Sequence, residues 1–60
     1  MRIYLNGRPV ELVPGMTVRH ALEAAELLAA VAQGRKVYDE WGNEVGLDGA
    51  LAEGMRLQVK

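Results

Sequence analysis

The chain has sixty residues, no cysteine and a formal net charge of −1, with half of its residues hydrophobic and a quarter charged. That length accommodates one domain, residues 1–60, and the balance is that of a globular chain rather than a disordered one. Zero cysteine excludes a disulfide framework, a cysteine-held zinc and an iron–sulfur cluster.

The first element in chain order is a hairpin. Asn6-Gly7 suits a two-residue type I′ loop, which needs positive φ at both positions. The loop sets a register in which Leu5 faces Arg8, Tyr4 faces Pro9, Ile3 faces Val10, Arg2 faces Glu11 and Met1 faces Leu12. Ile3/Val10 and Met1/Leu12 then share one side, and the ion pair Arg2/Glu11 takes the other. Tyr4/Pro9 is a non-hydrogen-bonded pair, so the N–H that proline lacks would have pointed away from strand 1. Strand 2 is therefore expected at an edge of the sheet, with strand 1 carrying the rest.

Pro14-Gly15 suits the centre of a type II turn, and Thr17 is a good helix N-cap. From Val18 the chain is rich in Ala, Leu and Glu, with Gly34 placed as the C-terminal stop. Val18, Ala21, Leu22, Ala25, Leu28, Ala29 and Ala32 recur at helical spacing and predict one apolar face. Leu27 and Val31 lie off that stripe, which points to a break near Glu26 into a second helical turn or a loop.

Lys36-Val37-Tyr38 leads into Asp39-Glu40-Trp41-Gly42, a type I turn with Gly42 in the left-handed position of a bulged hairpin. That register pairs Val37 with Val45 on the core side and Tyr38 with Glu44 outside. Gly46, Asp48-Gly49 and Glu53-Gly54 punctuate the stretch before Met55. Met55 to Val59 then alternates, with three apolar residues inward. The order strand–strand–helix–strand–short strand–strand predicts a two-layer α+β fold. With strand 2 at an edge, the last strand belongs beside strand 1; run parallel to it, the mixed sheet makes a β-grasp, or ubiquitin-like, roll.

The segment from Met1 to Val18, with its short strand, Asn6-Gly7, second strand and Gly15-Met16-Thr17-Val18, resembles the opening of ThiS/MoaD-type sulfur-carrier proteins. Leu51 to Val59 is similar to their closing Leu-x-x-Gly-Asp-x-hydrophobic strand, with Met55 where Asp is usual. The two stretches cover about half the chain. The resemblance implies the β-grasp scaffold, and the same opening also occurs in plant-type ferredoxins. The carriers work through a C-terminal Gly-Gly that is adenylated and converted to a thiocarboxylate. This chain ends Leu57-Gln58-Val59-Lys60, without that pair, so no carrier residue is transferred to it. The four cysteines of the ferredoxin branch have no counterpart either.

Nothing in the sequence pairs a nucleophile with a base, so no catalytic residue and no enzymatic activity is expected. His20 is the single histidine, read as a partly exposed helix residue without partners for a metal. Asp39, Asn43 and Asp48 match no calcium loop, and Gly42, Gly46, Gly49 and Gly54 match no phosphate loop. No metal and no cofactor are expected.

The outward positions of the strands are more informative. Arg2, Tyr4, Lys36, Tyr38, Arg56 and Gln58 are left on the open side of the sheet, a basic and aromatic surface. Trp41 sits at a turn tip, either as an anchor for a partner or folded back onto the core. The expected partner-binding residues are Arg2, Tyr4, Tyr38, Trp41 and Arg56. Aromatic and cationic residues together also suit RNA, but a net charge of −1 lacks the positive field that nucleic-acid binding requires. The leading expectation is a non-enzymatic ubiquitin-like module that binds a protein. Its alternatives are a sulfur carrier whose diglycine tail lies outside this chain and an RNA-contacting accessory domain. The stretch from Ala21 to Ala32 is too short to span a bilayer and is interrupted by Glu23 and Glu26, and no export signal opens the chain. The expected location is cytoplasmic.

Overall fold

The computed structural model describes residues 1–60. Its elements are β1 (Arg2–Leu5), β2 (Arg8–Glu11), α1 (Val18–Ala24), α2 (Leu28–Ala32), β3 (Val37–Asp39), β4 (Glu44–Val45) and β5 (Arg56–Val59). The five strands form one mixed sheet in the order β2-β1-β5-β3-β4. The helical segment divides into two short helices at Glu26, where the off-stripe Leu27 and Val31 point to a break, and the sheet is open rather than rolled, with β2 and β4 as its free edges.

The first hairpin is dictated by its turn. Asn6 and Gly7 have φ of 52° and 81°, the left-handed pair that a type I′ loop requires. Arg2 pairs with Glu11, Ile3 with Val10, Tyr4 with Pro9 and Leu5 with Arg8. The Met1 and Leu12 backbones exchange both of their hydrogen bonds, each 2.7 Å long. Pro9 therefore turns its missing donor outward, on an edge with no strand beyond it.

Strand β5 lies parallel to β1, with Tyr4 beside Arg56 and Leu5 beside Leu57. Its other flank runs antiparallel to β3, with Tyr38 beside Gln58. The turn before β5 also grips β1: Gly54 N–H donates to Arg2 O at 2.7 Å, and Arg2 N–H donates to Glu53 Oε2 at 3.0 Å. In the second hairpin Val37 pairs with Val45 and Tyr38 with Glu44, as the turn reading predicts.

The helical region departs from the sequence reading in phase. Helix α1 ends in a Schellman motif whose left-handed residue is Glu26, at φ 60°. Leu27 N–H donates to Leu22 O at 2.8 Å and Glu26 N–H to Glu23 O at 3.1 Å. Helix α2 ends in the same way around Gly34, where Arg35 N–H reaches Ala30 O and Gly34 N–H reaches Val31 O. The break shifts the face that α2 turns inward. Ala29 and Ala32, expected on the apolar stripe, are exposed, while Leu27, Ala30 and Val31 pack against the core.

Ile3, Leu5, Val10, Leu12, Val37, Leu57 and Val59 from the sheet segments meet Val18, Ala21 and Leu22 from α1 in one apolar core. All the buried residues are hydrophobic, and the opposite face of the sheet has no helix over it. That uncovered face carries the candidate site.

Candidate functional site

The open face is built by the period-two alternation of the strands: each inward Ile, Leu or Val leaves its neighbours outward. On β1, Ile3 and Leu5 are buried, which turns Arg2 and Tyr4 outward. On β5, Leu57 and Val59 are buried, which turns Arg56 and Gln58 outward. Tyr38 leaves β3 on the same side, opposite the buried Val37.

Pairing then brings two of the expected residues together. Tyr4 and Arg56 are lateral neighbours on adjacent parallel strands. The Arg56 guanidinium carbon lies 5.2 Å from the centre of the Tyr4 ring, a cation–π contact. A second such contact stands one strand further on, with Lys60 Nζ 5.8 Å from the centre of the Tyr38 ring. Both tyrosines are half-buried, so each ring is held by its neighbours and keeps one side free.

Arg2 lies on the same strand face as Tyr4, but its guanidinium is committed to Glu11, with Nε donating to Glu11 Oε1. That hydrogen bond and then the Glu11 charge raise its pKa, with smaller contributions from Tyr4. At the opposite edge Lys36 Nζ lies 3.7 Å from Glu44 Oε1. The cations near the two edges are thus neutralised by acids on the edge strands. Arg56 and Lys60 have no carboxylate within 4.0 Å.

Trp41 is 77 % exposed, which excludes the reading in which it folds back onto the core. Its turn is braced by Asp39, whose Oδ1 accepts N–H groups from Trp41 and Asn43, both at 2.9 Å. The ring is therefore presented from a well-bonded turn, beyond the end of β3. Glu40, its neighbour, does reach the strand face. It lines a cleft of about 180 Å³ with Tyr4, Gly7, Arg56, Leu57 and Gln58.

Lys60 and Glu40 are the members of this face that the sequence reading did not single out. Lys60 continues the alternation Arg56, Gln58, Lys60, a signal present in the sequence itself. Glu40 carries no such signal, because only the β3–β5 pairing brings it near Arg56.

A larger groove, about 640 Å³, runs between the β2–α1 connection and α1, lined by Glu11, Leu12, Val13, Met16, His20, Glu23 and Ala24. Two of its three ionisable side chains are already engaged. Glu11 holds Arg2, and His20 Nδ1 accepts the Thr17 N–H at 3.0 Å, which caps α1. The sheet face, with its free cations and half-buried rings, is the better-equipped surface.

No group of three or more His, Asp or Glu side chains is placed to hold a metal ion, and no helix is long and apolar enough to cross a membrane. No family model matches the chain, and no curated protein or solved structure matches it significantly.

Proposed function

We propose that this chain is a small, non-enzymatic, β-grasp-like module of the cytoplasm that binds a protein partner on the open face of its sheet. The observation that carries this reading is the pair of cation–π contacts, Arg56 on Tyr4 and Lys60 on Tyr38, side by side on an uncovered sheet. Tyrosine and arginine are favoured interface anchors because they bring large contact area with few rotatable bonds to order. Tyr4 and Tyr38 are half-buried before any partner arrives, so they have already lost part of the side-chain freedom that binding would remove.

The β-grasp part of the reading is supported by the parallel β1–β5 pairing, by the helices inserted between β2 and β3, and by the resemblance of both ends of the chain to ThiS/MoaD-type carriers. Trp41 supplies a third aromatic, fully presented from a turn braced by Asp39.

The test is cross-linked affinity capture from the native cell with wild type and the double variant Tyr4→Ala/Arg56→Ala. Loss of a specific captured protein in the variant, with the unfolding midpoint unchanged, is the expected result. A partner retained at full yield by the folded double variant overturns the reading.

A further inference from the structure

Cationic residues on the open face fall into two groups. Arg2 and Lys36 have carboxylate partners, Glu11 and Glu44, supplied by the edge strands β2 and β4. Arg56 and Lys60 have none and rest on tyrosine rings. Both belong to the β5 segment, the middle strand of the sheet. The face therefore carries a positive stripe one strand wide, with neutralised edges on both sides.

The spacing along that stripe has its own chemistry. Arg56, Gln58 and Lys60 point outward at every second residue, so the two charges stand about 13 Å apart along the strand, with an amide between them. An extended peptide has the same repeat. Residues i, i+2 and i+4 of such a segment project to one side at matching intervals.

We infer that the open face receives an extended acidic segment of a partner protein, with carboxylates at i and i+4 over Arg56 and Lys60. This rests on the sheet-face reading above and specifies its partner. Gln58 hydrogen-bonds the residue between them, and Tyr4 and Tyr38 wall the segment on its two sides. A single extended strand fits the width of the stripe. A nucleic-acid chain is served less well: Glu11 and Glu44 already neutralise Arg2 and Lys36, which leaves two cations in a single row, too few phosphate contacts for the counterion release that drives such binding.

The test is an NMR titration of the isotope-labelled chain with the peptide Ser-Glu-Ser-Gln-Ser-Glu-Ser, its isomer with the two glutamates adjacent, and octauridylate. The expected result is shifts at Tyr4, Arg56, Gln58 and Lys60 with the spaced peptide. Binding weakens at least tenfold for the isomer, for added salt and for the folded variant Arg56→Gln/Lys60→Gln. Equal binding of the isomer, equal binding by the variant, stronger shifts with the RNA or no shifts at all each overturn the inference. Cellular capture that depends on Tyr4 and Arg56 while the spaced peptide fails would remove the acidic ligand and leave the sheet-face function standing.

Discussion

Asn6 and Val59 stand 53 positions apart, and Asn6 Oδ1 accepts the Val59 N–H at 2.9 Å. One side chain thus serves two levels of structure. Its backbone takes the left-handed conformation of the first turn, and its amide oxygen bonds the last strand just beyond the point where β5 leaves β1. The Val59 donor is half-buried and depends on that oxygen for its partner.

Replacing Asn6 separates the two roles. Asn6→Gly keeps the turn and loses the bond, and is expected to lower unfolding stability by about 1 kcal/mol. Asn6→Asp keeps an acceptor and stays near wild type. Urea unfolding gives the stabilities, and amide exchange at Val59 reports the bond itself, faster in the glycine variant alone.

Glu26 occupies, at φ 60°, the helix-ending position that Gly34 fills in α2. A residue with a Cβ bears a cost there that glycine avoids. Glu26→Gly is therefore expected to raise stability by about 0.5–1 kcal/mol, because the relief at this site exceeds the added freedom of the unfolded chain. Glu26→Val, β-branched in a left-handed position, lowers it. A glycine variant with a reduced melting temperature would show that the Glu26 side chain contributes more than its backbone costs.

His20 caps α1 by accepting the Thr17 N–H at Nδ1, the task that glutamate or glutamine performs in a capping box. Loss of the acceptor in His20→Ala is expected to cost about 0.5–1 kcal/mol. His20→Glu restores it and adds a favourable charge to the first turn, so its unfolding midpoint returns to the wild-type value or above. Equal midpoints for all three proteins would remove the cap from the account of α1.

Trp41 contributes surface rather than stability. With 77 % of the residue exposed, Trp41→Ala is expected to change unfolding free energy by less than about 0.5 kcal/mol. The wild-type fluorescence is quenched by acrylamide nearly as fully as free tryptophan. Protection from acrylamide in the folded chain alone would contradict the exposure, and protection on adding partner would place the ring in the interface.

Much of the candidate face was legible in the sequence. Period-two alternation identifies Arg2, Tyr4, Tyr38 and Arg56 as outward once Ile3, Val37 and Leu57 are inward, because a strand admits only two sides. Alternation cannot tell which strands are neighbours. The contact between Arg56 and Tyr4 arises from the β1–β5 pairing, and Glu40 comes near Arg56 only through β3 and β5. Trp41 shows the same boundary. Its turn was readable from Asp39 and Gly42, but whether its ring packs or stands free depends on what surrounds the turn.

Local chemistry in the sequence determined both hairpin registers, the edge position of β2 and the identity of the inward strand residues. Each rests on a short-range rule: positive φ at Asn6-Gly7, the missing donor of Pro9, the two-sided geometry of a strand. Tertiary structure decided the phase of the helices, the open form of the sheet and the division of its cations. Leu27 and Val31, off the apolar stripe, mark a break near Glu26, but a left-handed Glu26 has no signature as clear as glycine, because its cost is offset by the Schellman hydrogen bonds and by the packing of Leu27 and Val31. The net charge of −1 likewise says nothing of where charges cancel. Glu11 and Glu44 neutralise the edges because β2 and β4 lie there, and Arg56 and Lys60 remain free because β5 lies between them.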